Sequence, residues 1–245
     1  MTWMTPSEIV THGFATSPVV MMNEAHNGMS RCVRTRRVGR EILSAAHAAG
    51  CRHLAMEALP NVGESSILTM PPRDVGYLAQ PEMREFVEAA MHLSWMFVAY
   101  EINYRDDELS MESTNRRELV QAENLSAAWR KIGEVPMLVW CGNAHHAKLS
   151  GQDWTPMGIH FKELAGIEQF SICQTQTVSF DGVHPPNIEL TGDLRAALDA
   201  RGGAAGFIAS DPPPGLEVPE YVDALILSTD NEMIGDPPVG LVAWP

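Results

Sequence analysis

The stretch Val19-Val20-Met21-Met22-Asn23-Glu24-Ala25-His26 carries our prediction of the fold. Its four leading apolar residues run directly into an amide, a carboxylate and an imidazole. A short, unbroken apolar run of this kind indicates a strand buried on both faces, as in a parallel sheet covered by helices. Because ligands bind beyond the carboxyl ends of the strands in such sheets, we expect Asn23, Glu24 and His26 to lie at the rim of a site.

Three further apolar runs end in polar or ionisable side chains in the same way. The residues at these tips are Glu57 at the end of 53–57, Glu101 at the end of 95–101, and Asn143, His145 and His146 after 136–142. One such tip would be unremarkable in any strand. Since the carboxyl ends of parallel strands meet at one edge of a sheet, four of them predict one converging site.

Helical patterns separate these strands. We predict helices near 30–49, 81–93, 113–132, 158–165 and 191–201, further strands at 169–179 and 223–228, and an apolar segment at 206–209. Ser30 is the expected cap of the first helix, and Ser113 or Thr114 the expected cap of the third, whose buried face would include Leu119. Strands that alternate with helices predict an α/β fold with a mostly parallel sheet and helices on both faces.

The remaining segments fit one α/β domain over residues 1–245, since no repeat or linker divides the chain. Residues 1–18 are expected to be irregular, because Pro6 and Pro18 act as breakers. Residues 60–80 hold several prolines and glycines with little periodicity. We expect a loop there that acts as a lid, as long loops inside compact domains usually have a function.

The composition excludes several classes of protein. A formal net charge of −14 argues against a nucleic-acid partner or a membrane surface, both of which favour basic proteins. No secretory signal and no apolar run of roughly 18 residues is found, so we expect no membrane partner. The four cysteines form no CxxC pair, which favours a reducing, cytoplasmic location. Nothing in the composition predicts an oligomeric state.

The first candidate catalytic pair is Glu24 and His26. A carboxylate near an imidazole fixes its tautomer and raises its basicity, as a general base requires. A loop histidine without a role is the alternative. Glu57 is a second candidate, because a carboxylate that ends an apolar strand is costly unless it is paired or faces a cavity. Its alternative is an ion pair with an arginine of the first helix.

The adjacent residues His145 and His146 point in different directions in any regular element, so we expect one of them to face the site. His145 is favoured, because residues 142–145 mirror residues 23–26. Spacing alone leaves two options open for the histidine tips. They could bind a divalent metal together with a carboxylate, or form a metal-free acid/base pair.

Two arginines are candidates for binding negative charge. Arg117 could stabilise an oxyanion or hold a carboxylate, with a solvated surface position as its alternative. Arg31 belongs to an arginine cluster on the first helix and would favour an anionic group on a ligand, unless that helix face is simply solvated. No G-x-S-x-G, P-loop, G-x-G-x-x-G or H-E-x-x-H motif is present, so a serine hydrolase and a nucleotide enzyme rank low.

Taken together, the motifs resemble the erythromycin esterase/ChaN-like superfamily, which includes the TraB and Tiki proteins. They are Asn23-Glu24-Ala25-His26, Glu57 at a strand end, Arg117-Glu118-x-x-x-Ala122-Glu123-Asn124-Leu125, and Gly142-Asn143-Ala144-His145. The resemblance spans roughly residues 19 to 180 and implies an α/β domain with its site at the strand ends. Erythromycin esterases hydrolyse a macrolactone with a histidine base, which would match His26. Tiki proteins are metal-dependent peptidases, and ChaN-like proteins bind haem.

We therefore expect a hydrolase-like enzyme that acts on an ester, lactone or amide of a small molecule or peptide, with a tailoring step in natural-product biosynthesis as a variant. Its predicted catalytic residues are His26, Glu24, Glu57, His145 and Arg117, and its predicted substrate-binding residues are Asn23, Arg31, Glu101, Asn143 and His146. No cofactor is required in this scheme. The alternatives are a metal-dependent hydrolase using His26, His145 and Glu57, and a haem- or ligand-binding protein without turnover.

Overall fold

A computed structural model describes residues 3–27, 30–31, 33–61, 66–72, 76–102, 110–179 and 185–229. The strands are β1 (Val19–Glu24), β2 (His26–Asn27), β3 (Ser30–Arg31), β4 (His53–Pro60), β5 (Ile67–Leu68), β6 (Met96–Glu101), β7 (Met137–Gly142), β8 (Phe170–Cys173), β9 (Ala204–Ile208) and β10 (Ala224–Ser228). The helices are α1 (Pro6–Thr16), α2 (Val33–Ala48), α3 (Pro81–His92), α4 (Met111–Lys131), α5 (Met157–Ala165) and α6 (Gly192–Asp199), with a short 3₁₀ helix at Gly76–Ala79.

Eight strands form one sheet in the order β5-β6-β4-β7-β1-β8-β10-β9. The six inner strands are parallel, whereas the edge strands β5 and β9 are antiparallel to their neighbours. Strands β2 and β3 form a separate antiparallel pair. The predicted α/β fold with a mostly parallel sheet is confirmed. That it forms a single domain over 1–245 stays a prediction, because residues 230–245 lie outside the described part.

Alternation along β1 divides its side chains between two cores. Val20 and Met22 pack in a cluster with residues of α1, α2 and α3 on one face of the sheet. Val19 and Met21 pack with residues of α4 and α5 on the other face. A third cluster joins β9 and β10 to α6. Because apolar residues of β1 fill both faces, its polar residues Asn23 and Glu24 lie at its carboxyl end.

The expectation that residues 1–18 are irregular is wrong, because α1 occupies Pro6–Thr16. Thr5 caps this helix by accepting a hydrogen bond from the backbone of Glu8, whose carboxylate accepts one from the Thr5 backbone. Pro6 is the first helical residue, where the missing N–H costs nothing. The residue interpreted as a breaker therefore starts a helix.

Three other boundaries differ from prediction. Ser30 lies in β3, and α2 begins at Val33. The cap of α4 is Ser110, upstream of the predicted residues, and Leu119 on this helix is exposed. The predicted loop 60–80 contains β5, which extends the sheet, and the 3₁₀ helix, whose Leu78 is buried in the first core. Strand β5 and Leu78 therefore fix two parts of this segment against the rest of the fold, and its role as a lid stays a prediction.

Two close approaches between elements involve glycine. A Cβ on Gly39 of α2 would lie 2.6 Å from Cη2 of Trp140, so the absent side chain lets the helix rest on the indole. Gly206 of β9 exchanges two backbone hydrogen bonds with Met4, each 2.8 Å long. Among the described helices, none is long and apolar enough to cross a membrane.

Candidate functional site

The polar residues predicted from the strand tips gather at the carboxyl edge of the sheet. Strands β6, β4, β7 and β1 are parallel neighbours, and they end at Glu101, Pro60, Gly142 and Glu24. Glu24 and Gly142 are register partners, and the backbone N–H of Asn143 donates to the carbonyl of Glu24 at 2.9 Å. The turn that carries His145 therefore leaves the sheet beside the end of β1.

Arg117 of α4 joins the carboxylates of β4 and β6. Its Nη2 donates to Glu57 at 2.6 Å and also to Glu101, whose second oxygen accepts from Nε at 3.2 Å. The second oxygen of Glu57 accepts from the backbone N–H of Gly142. Arg117 is thus a described partner of Glu57, whereas the predicted alternative, an arginine of the first predicted helix, stays a prediction because the side chain of Arg31 lies outside the described part.

Burial and pairing act in opposite directions on this trio. Burial raises the pKa of Glu101, and the Arg117 guanidinium only partly offsets it. Burial by itself would lower the pKa of Arg117, but the charges of Glu57 and Glu101 raise it above its ordinary value. Arg117 is therefore a fixed cation. Its side chain is 35% exposed and, in the described part of the chain, its Nη1 makes no hydrogen bond.

His145 lies between two carboxylates. Its Nδ1 is 2.6 Å from Oε1 of Glu118, and its Nε2 is 3.5 Å from Oε1 of Glu57. The first distance is that of a charge-assisted contact, although the N–H at Nδ1 lacks the alignment of a standard hydrogen bond. Burial lowers the pKa of His145, but the charges of Glu57 and Glu118 outweigh it and raise the pKa to about 9. The imidazole is therefore a cation at neutral pH.

Glu118 was missed as a site residue in the sequence. It lies on α4, is only 1% exposed, and accepts from the indole of Trp154 at 3.1 Å and from the backbone of Met157 at 2.6 Å. The available signal was its spacing, because Glu118 shares a helix face with the apolar residues Ala122 and Leu125. A carboxylate on such a face needs partners.

Glu24 is held by a second buried ion pair. Its two oxygens accept from Nε and Nη2 of Arg36 at 2.8 and 3.2 Å, and one of them also accepts from the indole of Trp140 at 3.1 Å. Nη1 of Arg36 donates to Gln80, the residue before α3. Arg36 and Gln80 were not predicted as site residues. For Arg36 the reason is that an arginine within a basic cluster usually indicates a solvent-exposed side chain.

The side chain of Asn23 is used to join strands. Its Oδ1 accepts from the backbone of Gln174 at 2.7 Å, and its Nδ2 donates to the carbonyl of Asn143. Asn23 is fully buried and has a structural role in these contacts, and its predicted role as a substrate-binding residue stays a prediction. Asn143 follows Gly142 with a positive φ of 34°, at the start of the turn that carries His145.

His146 is the buried member of the histidine pair. It is fully buried, and neither ring nitrogen finds a hydrogen-bond partner among the described residues. Burial, with the nearby charge of His145, lowers the pKa of His146 to about 3. His146 is thus neutral and without exposed surface in this structure, and its predicted substrate-binding role stays a prediction.

His26 and Arg31 are register partners in the β2–β3 pair, directly after β1. Their side chains lie outside the described part, so their predicted roles, including a contact between Glu24 and His26, stay predictions.

Tyr77 of the 3₁₀ helix is half-buried. Burial and the negative charges of Glu24 and Glu57 raise the pKa of Tyr77. Its hydroxyl is therefore close enough to both carboxylates to be influenced by their charge.

The metal option concerns His26, His145 and Glu57. Among the residues whose side chains are described, no group of three or more histidines, cysteines or carboxylates is arranged to hold a metal ion. Because the predicted set includes His26, that set stays a prediction. The described members, Glu57 and His145, are already engaged by Arg117 and Glu118.

No family model matches the sequence, and no curated protein matches it. Several solved structures are similar at low sequence identity. The type III effector HopBA1 is 13% identical, with 93% of this chain and 94% of that chain covered and a TM-score of 0.49. A Bacillus cereus protein is 9% identical, with 92% and 97% covered and a TM-score of 0.47.

An erythromycin esterase is among these structures. The mutant of EreC in its open conformation is 14% identical, covers 60% of this chain and 44% of that chain, and has a TM-score of 0.34. At these identities and TM-scores the similarities say nothing about activity.

Proposed function

We propose that this chain is an enzyme that hydrolyses an ester, lactone or amide of a small molecule or peptide by acid–base catalysis. The observation that carries the proposal is the position of His145. It is a cation held between Glu57 and Glu118, beside Arg117, at the carboxyl edge of the parallel sheet. A protonated imidazole at such a rim is suited to donate a proton to a leaving group.

In the proposed reaction His26 accepts a proton from water as the water oxygen attacks the carbonyl carbon. Negative charge then develops on the carbonyl oxygen, and it is stabilised by Nη1 of Arg117, which makes no hydrogen bond within the described residues. The bond from carbon to the leaving oxygen or nitrogen breaks while His145 donates its Nε2 proton to that atom. The products are an acid and an alcohol or amine, and proton transfer from His26 back to His145 restores the starting state.

Two contacts support these roles. The 3.5 Å separation of His145 Nε2 from Glu57 is too long for a hydrogen bond, so this proton is available for transfer. The ion pairs to Glu57 and Glu101 fix the guanidinium of Arg117 without using Nη1. A rigid donor of this kind stabilises developing charge without reorganisation. The scheme requires no cofactor, and a tailoring step on a natural product is one reaction it would suit.

The test is a hydrolysis assay on p-nitrophenyl esters, a macrolactone and short peptides, with His26→Ala, His145→Gln and, as control, the exposed α4 variant Glu123→Gln. We expect loss of turnover in the first two proteins, with unchanged circular dichroism, and full activity in the third. Turnover that survives in both histidine variants would refute the assignment.

A second arm of the same test addresses the metal alternative. The assay is repeated with a chelator, and metal content is measured by mass spectrometry on protein purified without added metal. Unchanged activity in metal-free protein would support the acid–base scheme. A stoichiometric divalent ion, with activity lost to the chelator, would replace this scheme by metal-dependent hydrolysis.

A further inference from the structure

The carboxylate of Glu118 lies behind His145, on the side away from Glu57. It belongs to α4 and not to a strand end, and it is 1% exposed. A buried carboxylate is costly unless its oxygens are occupied by donors or by an opposite charge. Both conditions hold here, because each oxygen has a donor and one of them also contacts the imidazolium.

Both donors come from the segment that follows the histidine turn. Oε2 of Glu118 accepts from the backbone N–H of Met157, the first residue of α5, and Oε1 accepts from the indole of Trp154. Asn115, one turn earlier on α4, fixes the same segment by donating to the carbonyl of Asp153 and accepting from the backbone of Thr155. Together, these contacts fix the position of the Glu118 carboxylate.

The fixed carboxylate restricts the imidazole in turn. Oε1 of Glu118, the oxygen that accepts from Trp154, lies 2.6 Å from Nδ1 of His145. With Nδ1 held on this side, Nε2 is directed toward Glu57 and the rim. A carboxylate on one imidazole nitrogen selects the tautomer and the ring orientation, as it does behind catalytic and metal-binding histidines.

We propose that Glu118 is a positioning residue, which fixes the ring of His145 with a proton on Nδ1 and with Nε2 toward the substrate, and that Trp154 holds Glu118 in place. The inference rests on the proposed function only for the reaction that Nε2 serves. The orientation of the ring is a separate claim that can be tested without a substrate.

The decisive variant is Glu118→Gln, which keeps the shape of the side chain but loses its charge and one acceptor. Trp154→Phe is the milder variant, because it removes one donor to Oε1 and keeps an aromatic ring. Glu123→Gln is the matched control, since it removes an exposed carboxylate from the same helix. In the ester assay we expect Glu118→Gln to lower kcat by at least about tenfold with KM nearly unchanged. Trp154→Phe should cause a smaller loss, and the control none.

The readout that does not depend on turnover is the side-chain ¹⁵N spectrum of His145 at pH 10, above its pKa of about 9, where the ring is neutral and its tautomer can be read. In the wild-type protein and in the control, we expect a proton fixed on Nδ1. In Glu118→Gln we expect the averaged signals of a ring that exchanges between tautomers. In Trp154→Phe, which also serves if Glu118→Gln does not fold, we expect broadened ring signals.

The two readouts separate the two ways of failing. If the wild-type protein hydrolyses none of the substrates, the proposed function fails, and the spectra still decide the role of Glu118. If the His145 spectra of Glu118→Gln and Trp154→Phe match the wild type, the positioning role is refuted even in an active enzyme. An unchanged kcat in a folded Glu118→Gln protein would refute it as well.

Discussion

Charged residues at the strand ends are buried in pairs, and the pair of Glu24 and Arg36 is the most enclosed. The Arg36 side chain has no exposed surface, and its guanidinium meets both oxygens of Glu24. Taking two such ions out of water costs several kcal/mol each, and only good geometry and further hydrogen bonds offset this. Trp140 and Gln80 supply further bonds of this kind, and the loss of either charged partner would leave a buried charge without its opposite charge in this pair.

We expect Arg36→Met to lower the free energy of unfolding by about 3 kcal/mol or more, because Glu24 would remain buried and charged. Adding Glu24→Leu to this variant should recover part of the loss, since no buried charge is then left. Urea unfolding followed by tryptophan fluorescence measures both effects.

The control for this pair is Arg40→Met on the same helix. Arg40 forms an exposed ion pair with Glu85, which should contribute no more than about 1 kcal/mol. If the effects of Arg36→Met and Glu24→Leu were simply additive, the two residues would not form the coupled pair described above.

At the scale of the element, the packing of α2 on the sheet depends on one glycine. Alanine favours a helix interior over glycine by about 1 kcal/mol, so propensity alone predicts that Gly39→Ala stabilises the protein. The added Cβ would lie 2.6 Å from the indole of Trp140, however, and the indole donates to Glu24. Overpacking of this kind costs about 1–3 kcal/mol.

We therefore expect Gly39→Ala to be destabilising in a thermal melt, with a weakened indole N–H bond to Glu24 visible as a shifted Trp140 side-chain NMR signal. Gly192→Ala is the matched control, because Gly192 begins α6 and a Cβ there would meet no atom within 4 Å. A stabilised Gly39→Ala protein would show that the helix moves away from the sheet at little cost.

Elements with a clear hydrophobic pattern were predictable from the sequence. Elements whose position depends on one particular local or distant contact were not. The unbroken apolar runs gave β1 and β7 nearly to the residue, since burial on both faces leaves no other pattern. Helix α1 was missed because Pro6 both breaks and begins helices, and only the reciprocal contact of Thr5 with Glu8 distinguishes the two.

The residues of the candidate site differ in the same way in how far they could be predicted from the sequence. Glu57 and Glu101 were predictable because each directly follows a run of apolar residues in the sequence. Glu118 was not, because its meaning depends on His145, Trp154 and Met157, which come from a separate part of the chain. A side chain whose partners are distant in sequence carries no local signal beyond its spacing.

At the scale of the whole molecule, the two adjacent histidines shape the dependence of stability on pH. The ordinary pKa of an unfolded histidine is about 6.5. His146 has a folded pKa of about 3, so between pH 6.5 and 3 the unfolded chain binds a proton that the folded protein excludes. His145 has a folded pKa of about 9, so between pH 6.5 and 9 the folded protein keeps a proton that the unfolded chain releases.

The contribution of His145 is therefore complete below pH 6.5 and lost as the pH rises to 9, whereas His146 destabilises the fold as the pH falls below 6.5. Each group contributes a slope of about 1.4 kcal/mol per pH unit within its window. We expect His146→Leu to flatten the acid limb and His145→Gln to flatten the alkaline limb, measured as urea unfolding from pH 4 to 9. Parallel curves for wild type and His146→Leu would contradict the neutral state of His146.

The contact between Met4 and Gly206 affects whether the edge of the sheet can pair with other protein chains. The outer side of an edge strand carries backbone groups that can pair with a strand of another chain, which is a route to aggregation. Met4 occupies both the N–H and the carbonyl of Gly206, in the middle of β9. At the opposite edge β5 is only two residues long, too short a template for a second chain. The N-terminal segment thus protects this edge of the sheet from pairing with a strand of another chain.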